Sequence, residues 1–118
     1  MWATSANRDN YGNQYMDVLY SRTESGYRFH ALLDYRFTRL SGTIFVSYGD
    51  ASGSTTMVSF ELDGRVIETH ELTNVTRPIP INLSVENINE FRIIVQRPAG
   101  VWLHRGPIPH FGDFDFYP

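Results

Sequence analysis

Five residues near the end of the chain combine the side-chain types that can hold a polar ligand: Trp102, His104, Arg105, His110 and Asp113. Four of them fall inside the stretch RPAGVWLHRGPIPHFG, from Arg97 to Gly112. An indole takes the apolar C–H face of a flat ligand, while imidazole, guanidinium and carboxylate groups exchange hydrogen bonds with its hydroxyls. Pro98, Pro107 and Pro109 limit the entropy such a segment loses on binding, and Gly100 and Gly106 let its backbone pass close to a ligand. That mixture suits a neutral polyhydroxyl compound, since a phosphate would call for clustered bases. The competing reading is a stiff crossover in which Trp102 closes the open end of a core. Should that reading hold, the interaction surface is expected at the opposite end, near Tyr48 and Asp50.

The rest of the chain offers little for catalysis. A nucleophile with its base, a carboxylate pair across a cleft, or a metal cluster would each leave a characteristic spacing. The four histidines, His30, His70, His104 and His110, form no H-x-x-x-H pattern, and Glu68 and Glu71 point to opposite faces of one strand. Asp113 and Asp115 share a face but read as outward acids beside Phe114 and Phe116. The expectation is therefore a chain that is not an enzyme, with no cofactor. A structural calcium is left open and unassigned, because RDNYGNQ offers Asp9, Asn10 and Asn13, and YGDASGS offers Asp50, Ser52 and Ser54.

Composition narrows the class. The chain has 118 residues, of which 42% are hydrophobic and only 19% charged, the balance of one packed domain over residues 1–118. Its ten bases are all arginine, spread singly from Arg8 to Arg105 against thirteen acids, which argues against a nucleic-acid partner. There is no cysteine, so packing alone must hold the fold and no thiolate chemistry is available. No apolar run approaches the roughly 20 residues of a membrane span, and MWATSANRDNYGN is too polar to read as a signal peptide.

Period-two alternation dominates, and on a strand it sorts side chains between two faces. PIPINLSV turns Ile79, Ile81, Leu83 and Val85 one way, and its prolines mark an edge strand. MVSFEL buries Val58, Phe60 and Leu62, while FRIIVQ buries Phe91, Ile93 and Val95, with Ile94 partly covered. Further strands are expected at Tyr15–Tyr20, Tyr27–Leu33, Thr43–Tyr48, Arg65–Leu72 and Asp113–Tyr117, giving about eight in all. Asp63-Gly64 predicts a type I′ hairpin turn, GDASGST a longer connection and ENIN a polar turn. No helix window remains, so the expected fold is all-β: an antiparallel sandwich of jelly-roll or another Greek-key type.

The order of these pieces, FTRLSGTIFV, then VSFELDGRVIETHEL, RPIPINLSV and INEFRIIV, resembles the NPCBM family of novel putative carbohydrate-binding modules. The resemblance covers most of the chain and rests on Leu40, Gly42 and Ile44, on Phe60, Asp63 and Gly64, and on Phe91, Ile93 and Val95. It implies a galactose-binding-like jelly roll of the kind appended to bacterial glycoside hydrolases and surface proteins. It further implies a noncatalytic module that targets a parent protein to a glycan or glycoprotein, outside the cell or at its surface, without membrane insertion and beside other domains of that parent. Members of the sugar-binding branch carry something like His-Ala-Asp-Trp before the last strand; this chain has His110 and Asp113 there, with Phe114 in place of the tryptophan. That replacement keeps an alternative open, a protein-interaction or spacer sandwich of a bacterial surface or secreted protein.

Overall fold

A computed structural model describes residues 2–3, 8–9, 11, 13–15, 18–21, 27–46, 55–96, 107 and 109–118. In chain order the strands are β1 (Trp2–Ala3), β2 (Val18–Ser21), β3 (Tyr27–Leu32), β4 (Arg39–Val46), β5 (Thr56–Leu62), β6 (Arg65–Leu72), β7 (Ile79–Ser84), β8 (Glu90–Gln96) and β9 (Pro109–Tyr117). They form a five-stranded sheet, β1-β2-β9-β4-β7, and a four-stranded sheet, β3-β8-β5-β6. Every pairing is antiparallel. No helix occurs among the described residues.

The alternation read from the sequence is the alternation of burial. Along β5, Val58, Phe60 and Leu62 are buried between half-buried neighbours, and along β8 Phe91, Ile93 and Val95 are buried while Ile94 is intermediate. These side chains meet Leu40, Ile44, Val46, Ile81, Leu83 and Phe111 from the other sheet in one core. Phe60 lies at its centre, with ring centroids 5.9 Å from Phe91 and 6.1 Å from Phe114. Proline-bearing β7 is an edge strand, as expected of a strand whose Pro80 has no N–H to donate. Asp63 (φ 49°) and Gly64 (φ 81°) both take the left-handed conformation that a type I′ turn requires.

Strand limits differ from the expectation in informative places. The last strand begins at Pro109 and not at Asp113, so four residues of the Arg97–Gly112 stretch belong to the sheet. Proline is tolerated as the first residue of a strand, and this one opens β9. In the middle of β9 the pairing with β4 slips by one residue: Thr43 faces Gly112 and Ser41 faces Asp115, leaving Asp113 and Phe114 opposite Gly42 alone. Asp113 absorbs this bulge with φ 53°. The bulge drives the Phe114 ring over Gly42, where an added Cβ would lie 2.1 Å from the ring. The glycine of the L-x-G-x-I strand is thus explained by packing. β4 begins at Arg39, four residues before the expected start, because it runs alongside β9 down to Tyr117.

Candidate functional site

β8 ends at Gln96 and β9 begins at Pro109, so the stretch rich in candidate side chains connects the two sheets at one end of the sandwich. Its far end is pinned by a buried hydrogen bond, 2.7 Å from the Thr56 hydroxyl to the Pro107 carbonyl. Trp102, His104 and Arg105 lie outside the described residues, as do Tyr48 and Asp50. Val46, the last residue of β4, pairs with Pro109, the first of β9, so β4 ends where β9 begins.

His110 and Asp113 are described, and they differ. His110 is 4% exposed, on the outer side of the five-stranded sheet opposite Phe45. Its ring stacks on Phe45, with centroids 5.1 Å apart and planes 22° off parallel. Phe45 in turn stacks on Tyr15 at 4.4 Å and 6°. The resulting three-ring column buries Phe45 on the face away from the main core. Gly112 makes room for it: an added Cβ would come within 2.5 Å of the Tyr15 ring. Asp113, by contrast, is exposed at the bulge.

The column is held from above by a loop folded around Asp9, whose carboxylate is buried. One oxygen accepts the backbone N–H groups of Tyr11 (2.8 Å) and Asn13 (2.9 Å). The other accepts the Asn13 amide (2.9 Å) and the Tyr15 hydroxyl (2.7 Å). Burial pushes the Asp9 carboxyl up, but these bonds from Asn13, Tyr15 and Tyr11 together hold it below the ordinary value. Burial, the bond to Asp9 and the charges of Asp9 and Asp113 push the Tyr15 phenol well above its usual value. Asp9, Tyr11, Asn13 and Tyr15 thus form a hydrogen-bond clasp in which the carboxylate is the shared acceptor. The spacing of Asp9 to Tyr11 is that of an Asx turn, a signal that reading the loop only for calcium oxygens passes over.

The remaining histidines are half-buried or exposed strand residues. His30 reaches Glu90 at 3.2 Å on the surface. His70 shares a face with Val58 and presents its ring edge-on to Phe60 at 6.1 Å, so this half-buried side chain faces partly inward. Among the described residues no group of acids and histidines could hold a metal ion. What the described residues of this stretch and its continuation offer chemically is an exposed carboxylate, Asp113, on the mid-strand bulge of β9 next to Gly112 of the ring column.

No family model and no curated protein sequence matches the chain. Solved structures do. The CBM51 of a Clostridium perfringens GH95 protein, in complex with methyl-galactose, superposes with a TM-score of 0.76 at 12% identity, covering 98% of this chain and 87% of that one. CBM51-2 of Clostridium perfringens ZmpB, solved with its INT domains in complex with GlcNAc, gives a TM-score of 0.79 at 10% identity, over 98% of this chain and 27% of that longer one. A ZmpB structure that contains the M60 catalytic domain with CBM51-1 and CBM51-2 gives 0.72 at 15% identity, over 98% of this chain and 13% of that one. The chain shares the antiparallel two-sheet fold of these CBM51 structures.

Proposed function

We propose that this chain is a noncatalytic carbohydrate-binding module that targets a parent protein to glycans outside the cell or at its surface. The observation that carries the reading is the agreement of nearly the whole backbone with CBM51 modules whose structures hold methyl-galactose or GlcNAc. The binding surface in this reading is the end of the sandwich from which β9 starts. Trp102 is its stacking face, His104, Arg105 and Asp113 exchange hydrogen bonds with hydroxyls, and His110 supports the rim from the ring column below. The NPCBM label belongs to the same proposal, as does a parent chain with further domains.

A glycan array with the 118-residue chain, followed by calorimetry with methyl-galactose and GlcNAc, tests it. Retention of a glycan, competed by the free monosaccharide and lost in Trp102→Ala with Tm unchanged, is the expected result. If Trp102→Ala instead lowers Tm by many degrees, the indole is a core lid and the site assignment fails. One observation favours the second reading, a protein-interaction or spacer sandwich: the aromatic at the family's tryptophan position, Phe114, packs over Gly42 and against Phe111 at 5.3 Å, and so offers no face to a sugar. Silence across the array would favour that reading.

A further inference from the structure

The opposite end of the sandwich carries a second set of features that glycan binding leaves unused. Three connections meet there and are cross-linked by main-chain bonds: Leu33 N–H donates to Asn89 (2.6 Å), Tyr35 N–H to Ile88 (3.2 Å) and Asp63 N–H to Glu90 (2.9 Å). Beside them lies a pocket of about 250 Å³ lined by Leu62, Asp63, Arg65, Ile67 and Ile88. The β5–β6 pairing slips between Phe60 and Glu61, leaving Ile67 as the extra residue of a bulge. Such a bulge re-aims a side chain, and Ile67 here is 43% exposed at the pocket wall beside Val66 at 53%.

Two further observations say what the pocket meets. Asp63 is already engaged, its carboxylate accepting the N–H groups of Asn89 and Glu90 at 3.2 and 2.8 Å. Asp63 keeps its charge, but its oxygens are occupied by those N–H groups; Arg65 forms no ion pair among the described residues, so the guanidinium, next to three aliphatic side chains, is the charged group open to pair with a ligand. At the rim, Asp34 (φ 54°) and Tyr35 (φ 59°) occupy the two central positions of a turn closed by Arg36 N–H to Leu33 at 3.1 Å. Those positions favour Asn-Gly, and a bulky aromatic in the left-handed region is strained. The strained turn leaves Tyr35 64% exposed, with its backbone bonded to that of Ile88. Strain of this kind, on a cross-linked and therefore rigid frame, points to a binding role.

We propose that this end docks an extended protein segment bearing an aliphatic side chain and, on the same face, a carboxylate. The aliphatic group fills the pocket between Leu62, Ile67 and Ile88, the carboxylate pairs with Arg65, and Tyr35 covers the segment from the side. β6 is the free edge of its sheet and carries no proline, so the segment can also take main-chain hydrogen bonds from it. Three aliphatic walls beside the guanidinium of Arg65 fit such a peptide better than a sugar, whose hydroxyls would meet those walls. The surface is separate from the rim assigned to glycans, and the two readings stand or fall independently.

The test is a library of extended hexapeptides in which Val, Ile, Leu or Phe stands two residues from Asp or Glu, each paired with its Asn or Gln counterpart. Binding is read from amide shifts of the 118-residue chain. The acid-bearing peptides are expected to shift the amides of Tyr35, Arg65, Ile67 and Ile88. Both the amide counterparts and Arg65→Gln should weaken binding by about tenfold. Tyr35→Gly should also weaken it with Tm held or raised, because glycine relieves the turn, and so separates lost contact from lost fold. The proposal is overturned if no acid-bearing peptide shifts those amides, if binding ignores Arg65→Gln, or if methyl-galactose shifts them instead.

Discussion

Asp9 and Tyr15 show how one part-buried hydrogen-bonded pair ties a loop to a ring column. Because the Asp9 carboxyl is held below its ordinary 3.8, the folded state binds its proton less readily than the unfolded chain. Its contribution is present above that ordinary value and is lost as pH falls through the lower folded value. Tyr15 works in the other direction: its phenol is raised above the ordinary 10.0, so its contribution is complete below pH 10 and is lost as pH climbs further. Tm is therefore expected to be flat through neutral pH and to fall at both extremes. Asp9→Asn should flatten the acid limb and Tyr15→Phe the alkaline limb; unchanged limbs in thermal melts would remove the pair from this role. Asp9→Ala leaves four part-buried donor bonds without their acceptor and should cost about 1–3 kcal/mol. Gly42→Ala should cost about 1–3 kcal/mol in denaturant titrations, since its Cβ would displace the Phe114 ring; at Gly64 no atom lies within 4 Å of an added Cβ, so any cost there comes from the backbone and not from a clash.

For the strands, the sharpest contrast lies between neighbours on β5. Phe60→Ala empties a fully buried aromatic site touching Phe91 and Phe114 and should cost about 3–5 kcal/mol. Ser59→Ala removes only a surface contact to the Thr69 hydroxyl and should stay within about 0.5 kcal/mol. Equal effects in urea melts would mean that the strand is inverted. Gly64→Val should destabilise through backbone conformation alone, because a β-branched residue resists the φ of 81° in an open position. These elements were legible because half-buried antiparallel strands write their burial directly into period-two alternation. The outer-face column was not: Phe45 stands between inward Ile44 and Val46, so the run reads as a strand whose out-of-phase aromatic has no stated partner. Its cover comes from Tyr15 and His110, distant in sequence. His110 misled in the same way, since a histidine between Pro109 and Phe111 looks like a loop residue until the sheet register sets it against Phe45.

Across the whole molecule, the last strand is the keystone of the first sheet. β9 lies between β2 and β4, with Leu19 opposite Phe111 on one side and Ile44 opposite Phe111 on the other. It sends Phe111, Phe114 and Phe116 into the space between the sheets, where Phe116 also meets Phe91 edge-on at 5.3 Å. Removing residues 109–118 would therefore open a central gap in the sheet and strip the core of three aromatics, leaving β2 without its only inward neighbour. The N-terminal edge differs in kind. Among the described residues β1 is a two-residue edge strand paired with β2, and the Asp9 clasp begins after it. Tolerance to truncation follows the burial and pairing of the backbone removed and not its distance from the chain end. Deletion of residues 109–118 should abolish the cooperative melt and collapse proton NMR dispersion, whereas deletion of residues 1–7 should leave a dispersed spectrum with Tm lowered by only a few degrees, about 1 kcal/mol in stability. A well-dispersed spectrum from the C-terminal deletion would refute the central placement of β9, and with it the register that brings His110 and Asp113 to their positions in the candidate site.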